Sequence, residues 1–105
     1  MNELQVVERD LASMRAKIQF AEGIISRSLS GLEKGDNIRA LAAITKRLVA
    51  KDALWLADRS IQLHGGYGYT KEFPAERWWR DLRLMPIGGG TDEIMANIVR
   101  KDHGW

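Results

Sequence analysis

Two glycine-rich stretches are the places in this 105-residue chain where the backbone could come close to a ligand: His64-Gly65-Gly66-Tyr67-Gly68-Tyr69 and Gly88-Gly89-Gly90-Thr91. Glycine permits backbone conformations and close approaches that a Cβ forbids. The second run is followed by Asp92 and Glu93, so a hydroxyl and two carboxylates stand where a helix N-terminus favours them. Free amides at such a start could face an anion such as a phosphate. The run is neither a Walker loop nor a dinucleotide fingerprint, because it lacks Gly-Lys-Thr and follows no strand. A tight connection that holds no ligand is the plainer reading of the same residues.

The remaining chemistry-bearing residues point less far. His64 and His103 are distant in sequence and have no cysteine beside them, so the sequence offers no metal site. With no cysteine there is also no disulfide and no thiol nucleophile. No serine, histidine and acid set suggests a hydrolase, and no carboxylate pair stands in a pocket-like context. Arg77, Arg80, Asp81 and Arg83 read as a solvated charged face, and Trp55, Trp78 and Trp79 read as packing area before they read as a stacking platform.

The elements that must carry the two glycine stretches are helical. Leu4, Val7, Leu11, Met14, Ile18, Ala21, Ile25, Leu29 and Leu32 recur at steps of three and four, the stripe of one long amphipathic helix. Gly35-Asp36 supplies a stop and then a possible N-cap. The segment from Asn37 to His64 is apolar on two sides, with Ile38, Leu41, Leu48 and Trp55 in one row and Ala42, Val49, Leu56 and Leu63 in another. Its small residues Ala42, Ala43, Ala50, Ala53 and Ala57 suit close helix packing within a bundle or across a subunit interface. After the loop at 64–69, Pro74 opens a short helix to about Leu84, and Thr91 opens a last one to about Lys101. The fold class expected is all-α: an antiparallel helical bundle of two long helices and two shorter ones, in one domain over residues 1–105.

Hydrophobic residues at 45% and charged residues at 29% suit a globular protein. The 16 basic and 14 acidic side chains are interspersed, giving a net charge of +2 without a basic patch, which argues against a nucleic-acid binder. No apolar run approaches the ~20 residues of a membrane span. The N-terminus shows no basic and apolar leader pattern. The expectation is a protein of the cytoplasm with no membrane partner.

In their order and spacing, Ser60-Ile61-Gln62-Leu63-His64-Gly65-Gly66-Tyr67-Gly68-Tyr69, Phe73-Pro74-Ala75-Glu76-Arg77, Arg80-Asp81 and Ile87-Gly88-Gly89-Gly90-Thr91-Asp92-Glu93-Ile94 resemble the C-terminal domain of the acyl-CoA dehydrogenase family. Upstream, Leu11-Ala12-Ser13-Met14 is similar to the family's Leu-Ala-Asp-Met helix, and Ala43 to Ala53 to its next helix. The resemblance implies an oxidoreductase of fatty-acid metabolism in which a carboxylate takes the α-proton of an acyl-CoA and FAD accepts a hydride from the β-carbon. It implies homodimers or homotetramers built through the long helices, with electron-transfer flavoprotein as redox partner. By the same resemblance, Gln62, Gly65 and Gly66 reach the adenosine diphosphate part of an FAD held by a neighbouring subunit. Thr91 and Glu93 contact the FAD of their own subunit, and Arg80 and Asp81 form a structural pair that orients the turn.

One position departs from the pattern. Gly89 stands where many members carry the catalytic glutamate in an Ile-Tyr-Glu-Gly-Thr run, and glycine cannot abstract a proton. Other members, the isovaleryl type among them, carry the glutamate on the first helix of the bundle, which would precede Met1. The expectation is a C-terminal part with no catalytic base of its own, inactive in isolation, whose apolar stripe pairs with another copy. The competing reading is a non-catalytic helical oligomerisation module on the same scaffold.

Overall fold

The computed structural model describes residues 2–105. It is built from α1 (Glu3–Glu33), α2 (Arg39–His64), a short 3₁₀ turn (Gly65–Tyr69), α3 (Ala75–Leu82) and α4 (Asp92–Asp102), with no strand among the described residues. The all-α bundle of two long and two shorter helices expected from periodicity is therefore present. Its long dimension of 46 Å is the length that 31 residues give α1 at a rise of about 1.5 Å each.

The helix ends follow local chemistry. Asn2 caps α1 in a reciprocal pair with Gln5: Gln5 N–H donates to Asn2 Oδ1 at 2.8 Å, and Asn2 N–H donates to Gln5 Oε1 at 3.0 Å. Gly35 ends it with φ of +78°, the left-handed conformation that stops helices. Asp36 does not cap α2 as the sequence suggested. The cap is Ile38, with no side-chain bond, while Asn37 Oδ1 accepts from Arg39 N at 3.2 Å. Pro74 caps α3 and Thr91 caps α4, accepting from Ile94 N at 3.2 Å.

Helix α2 is the axis to which the other elements attach. Its buried row is Ala43, Ala50 and Ala57, seven residues apart, where the absence of bulk lets neighbouring backbones approach. Among the described residues no large side chain is fully buried, so the core is thin.

The seam between α1 and α2 is polar. Arg59 Nη1 lies 3.6 Å from the buried Asp10 carboxylate, Lys17 Nζ donates to Asp52 Oδ1 at 3.2 Å, and the Ser28 and Thr45 hydroxyls meet at 3.0 Å. Trp55 packs between cations, with Lys17 Nζ 5.0 Å and Arg59 Cζ 5.7 Å from its ring centroid. Much of the apolar stripe of α1 consequently faces outward. Leu4, Leu11, Ile18, Ile25 and Leu32, also seven residues apart, are exposed by 65, 53, 39, 41 and 61%. Together they form a contiguous apolar row along one face of α1.

Candidate functional site

The two glycine stretches lie at different levels of α2. The first caps its C-terminal end. Gly65 leaves the helix with φ of +65°, and residues 65–69 continue as a 3₁₀ turn where the sequence suggested an irregular loop. His64 Nδ1–H donates to the Ser60 carbonyl at 2.7 Å, since a carbonyl can only accept. The His64 ring packs 5.6 Å from Phe73, and Tyr67 meets Phe73 edge-on at 6.1 Å. A Cβ at Gly65 or Gly66 would meet nothing within 4 Å, so both glycines border open space. Gly68 is different: a Cβ there would stand 2.6 Å from the Ile61 carbonyl oxygen and 2.8 Å from His64 Cβ. The chain itself needs glycine at 68, not at 66.

The second stretch is gripped from the N-terminal half of α2 by two adjacent cations. Lys46 Nζ donates to the Gly88 carbonyl at 2.6 Å and to the Gly90 carbonyl. Arg47 donates to both carboxylate oxygens of Asp92, from Nε at 2.8 Å and from Nη2 at 3.3 Å. The Arg47 hydrogen bond holds the Asp92 carboxyl below its ordinary value against the opposing effect of desolvation, and Asp92 in turn raises Arg47. Gly89 and Gly90 have φ of +70° and +108°, which side chains rarely adopt, so the turn is specified by glycine as well as by the clamp. Thr91 Oγ1 spends an acceptor position on the helix cap and keeps its proton to donate.

Lys46 and Gln62 are sixteen residues apart on one helix, about 24 Å of rise. One chain therefore does not bring Gln62, Gly65 and Gly66 to the same place as Thr91 and Glu93. Among the described residues no cluster of His, Cys, Asp and Glu has metal-binding geometry, and no helix is long and apolar enough to cross a membrane.

The family model described as acyl-CoA dehydrogenase, C-terminal domain, matches residues 1–103. The chain belongs to the acyl-CoA dehydrogenase family, as its C-terminal domain. It is 38% identical over 95 residues to the protein named probable acyl-CoA dehydrogenase YdiO of Escherichia coli (strain K12), a match covering 90% of this chain and 25% of that protein. Its fold superimposes on an acyl-CoA dehydrogenase of Geobacillus kaustophilus with a TM-score of 0.94 at 30% identity, over 98% of this chain and 27% of that one. Butyryl-CoA dehydrogenase of Megasphaera elsdenii gives 0.93 at 27% identity, again over 98% and 27%. The chain thus spans about a quarter of the length of the relatives it matches.

Within that domain Arg80 is held along its own helix. Arg80 Nε lies 2.6 Å from Glu76 Oε1, one helical turn back, and Asp81 forms no ion pair with it. The spacing of Glu76 and Arg80, four apart on a helix, was the available signal. Lys46 and Arg47 were missed altogether. The signal for Lys46 was its position between Ala43 and Ala50, on the face of α2 that carries the buried alanines.

Proposed function

We propose that the chain is the C-terminal part of a flavin-dependent acyl-CoA dehydrogenase, acting on the CH–CH group of an acyl-CoA thioester. We propose further that residues 1–105 form one helical domain contributing two separate rims to flavin sites. The carrying observation is the separation of the two glycine stretches, about 24 Å along α2. Such a distance suits one segment serving the chain's own FAD and the other serving the FAD of a neighbouring subunit.

The residues fit the group. Gly65 and Gly66 border open space into which a pyrophosphate could approach the backbone, with the exposed Gln62 beside them. Thr91 has a free hydroxyl proton, and Glu93 is exposed in the first turn of α4. FAD, when bound, accepts the hydride that leaves the substrate's β-carbon. This chain's part is to hold and orient the cofactor. Gly89 offers no carboxylate, so the base that takes the α-proton belongs to a segment outside the Gly88–Thr91 turn. The isolated chain is accordingly inactive.

Assembly follows from the exposed row of α1. Leu4, Leu11, Ile18, Ile25 and Leu32 are covered in a homo-oligomer, a dimer or tetramer, which also brings the second flavin rim into reach. Electron-transfer flavoprotein is the proposed acceptor of the electrons. Nucleic acid and membrane are not proposed as partners, since the charges are dispersed and no described helix could span a bilayer.

The test is absorbance between about 350 and 500 nm. Protein expressed from its complete reading frame should carry the flavin bands and bleach on addition of an acyl-CoA. Reading the coding sequence upstream of Met1 should reveal a glutamate on a helix that precedes α1. A complete protein that binds no flavin would leave the oligomerisation module as the better account.

A further inference from the structure

Lys46 spends its charge in an unusual way: on the described residues its ammonium meets no carboxylate within ion-pair distance and instead donates to two backbone carbonyls, those of Gly88 and Gly90. These partners lie 42 and 44 residues further along the chain. In a trans peptide the N–H points opposite to the C=O of the same unit. With the Gly88 and Gly90 carbonyls turned onto Lys46, the amides of Gly89 and Thr91 are turned away from α2, and neither has a backbone partner. Gly89 and Gly90 are the most permissive positions in the turn, so without a fixed reference their peptide planes could rotate freely. Arg47 cannot supply that reference, because it grips the Asp92 side chain and not the turn's backbone.

We propose that Lys46 is a positioning residue of the flavin rim: it sets the peptide planes of Gly88 to Thr91 and thereby the direction in which Thr91 and the turn's free amides face the cofactor. This rests on the flavin-rim reading given above. Lys46 itself contacts no cofactor in this account, and acts only through the turn.

The experiment uses protein expressed from its complete reading frame, with Lys46→Met, which keeps the aliphatic stem, Lys46→Arg, which keeps the charge, and Lys51→Met as a control for a nearby cation that donates to neither carbonyl of the turn. Hydrogen exchange is read at the Gly88 and Asp92 amides, which donate to Leu84 and Pro86 across the turn, and at Ala50 in α2. FAD affinity and the flavin absorption bands are read in parallel. In Lys46→Met, exchange at Gly88 and Asp92 should rise and FAD affinity should fall, each on the order of tenfold or more, as expected for loss of charge-assisted hydrogen bonds. Ala50 should be unaffected, the flavin bands should shift, Lys46→Arg should recover part of the affinity, and Lys51→Met should behave as wild type. Unchanged exchange at the turn in Lys46→Met would overturn the inference, as would loosened exchange with unchanged affinity and bands. A wild-type protein that takes up no FAD would instead sink the flavin reading on which the inference rests.

Discussion

Replacing Gly68 with alanine should damage the fold, whereas replacing Gly66 should not, although the two look interchangeable in Gly65-Gly66-Tyr67-Gly68. At 68 the new Cβ would lie 2.6 Å from the Ile61 carbonyl oxygen and 3.1 Å from Ile61 Cα, both backbone atoms of the last turns of α2, so relief requires moving the 3₁₀ turn off the helix. Overpacking of this kind costs about 1–3 kcal/mol, and a backbone obstacle argues for the upper end. For a chain of this size each kcal/mol corresponds to roughly 4–8 °C, so Gly68→Ala should lower Tm by roughly 12–24 °C. At 66 nothing lies within 4 Å of the added methyl and φ is ordinary, so the change should stay within about 0.5 kcal/mol. Thermal melts of the helical circular dichroism signal at equal protein concentration provide the comparison. Gly66→Ala should instead reveal itself in the flavin-loaded protein, by weaker FAD retention. Equal melting temperatures for the two variants, or the larger drop at 66, would refute the steric reasoning.

Three further outcomes are expected. The Asp92 carboxyl titrates lower in the folded chain than in the unfolded one, so its pairing with Arg47 stabilises fully above the ordinary carboxylate range and is lost as pH falls through the folded value. The Tm difference between wild type and Asp92→Asn should therefore be present at pH 7 and shrink below about pH 4, and added salt should weaken it as well. Gly89→Glu places a side chain at φ of +70° with only Lys46 Nζ nearby, at 3.9 Å from its Cβ. It should lower Tm by roughly 4–8 °C, about 1 kcal/mol of left-handed backbone strain, measured by the same melts. Leu11→Lys with Ile18→Lys should leave the helix content of α1 unchanged while shifting sedimentation toward monomer, because both residues are exposed within the chain and the proposed homo-oligomer would cover them.

Much of the fold was legible because helices announce themselves by period. The stripe from Leu4 to Leu32 located α1, and Thr91 at the head of Asp92-Glu93 located the start of α4. What the stripe could not say was which face packs where. Asp10, Lys17 and Ser28 turn the polar side of α1 onto α2, a choice set by specific partners (Arg59, Asp52 and Thr45) far away in sequence. The glycine runs stood out as the places where the backbone could approach a ligand, whereas Lys46 drew no reading at all. Only tertiary structure reveals that it reaches two carbonyls across the fold. The same limit applies to Gly68, whose crowding by Ile61 and His64 is a property of how the 3₁₀ turn folds back on α2.

The central claim is that two chains complete one flavin site, one offering Thr91 and the other Gly66. Flavin content of mixed oligomers tests it most directly. Protein from the complete reading frame carrying Gly66→Ala alone, or Thr91→Ala alone, should retain little FAD. Co-assembly of the two variants creates sites in which an intact Thr91 from one subunit faces an intact Gly66 from its neighbour, so absorbance near 450 nm should recover in the oligomer fraction. No recovery above either variant alone would mean that both segments serve the same subunit's cofactor, contradicting the account.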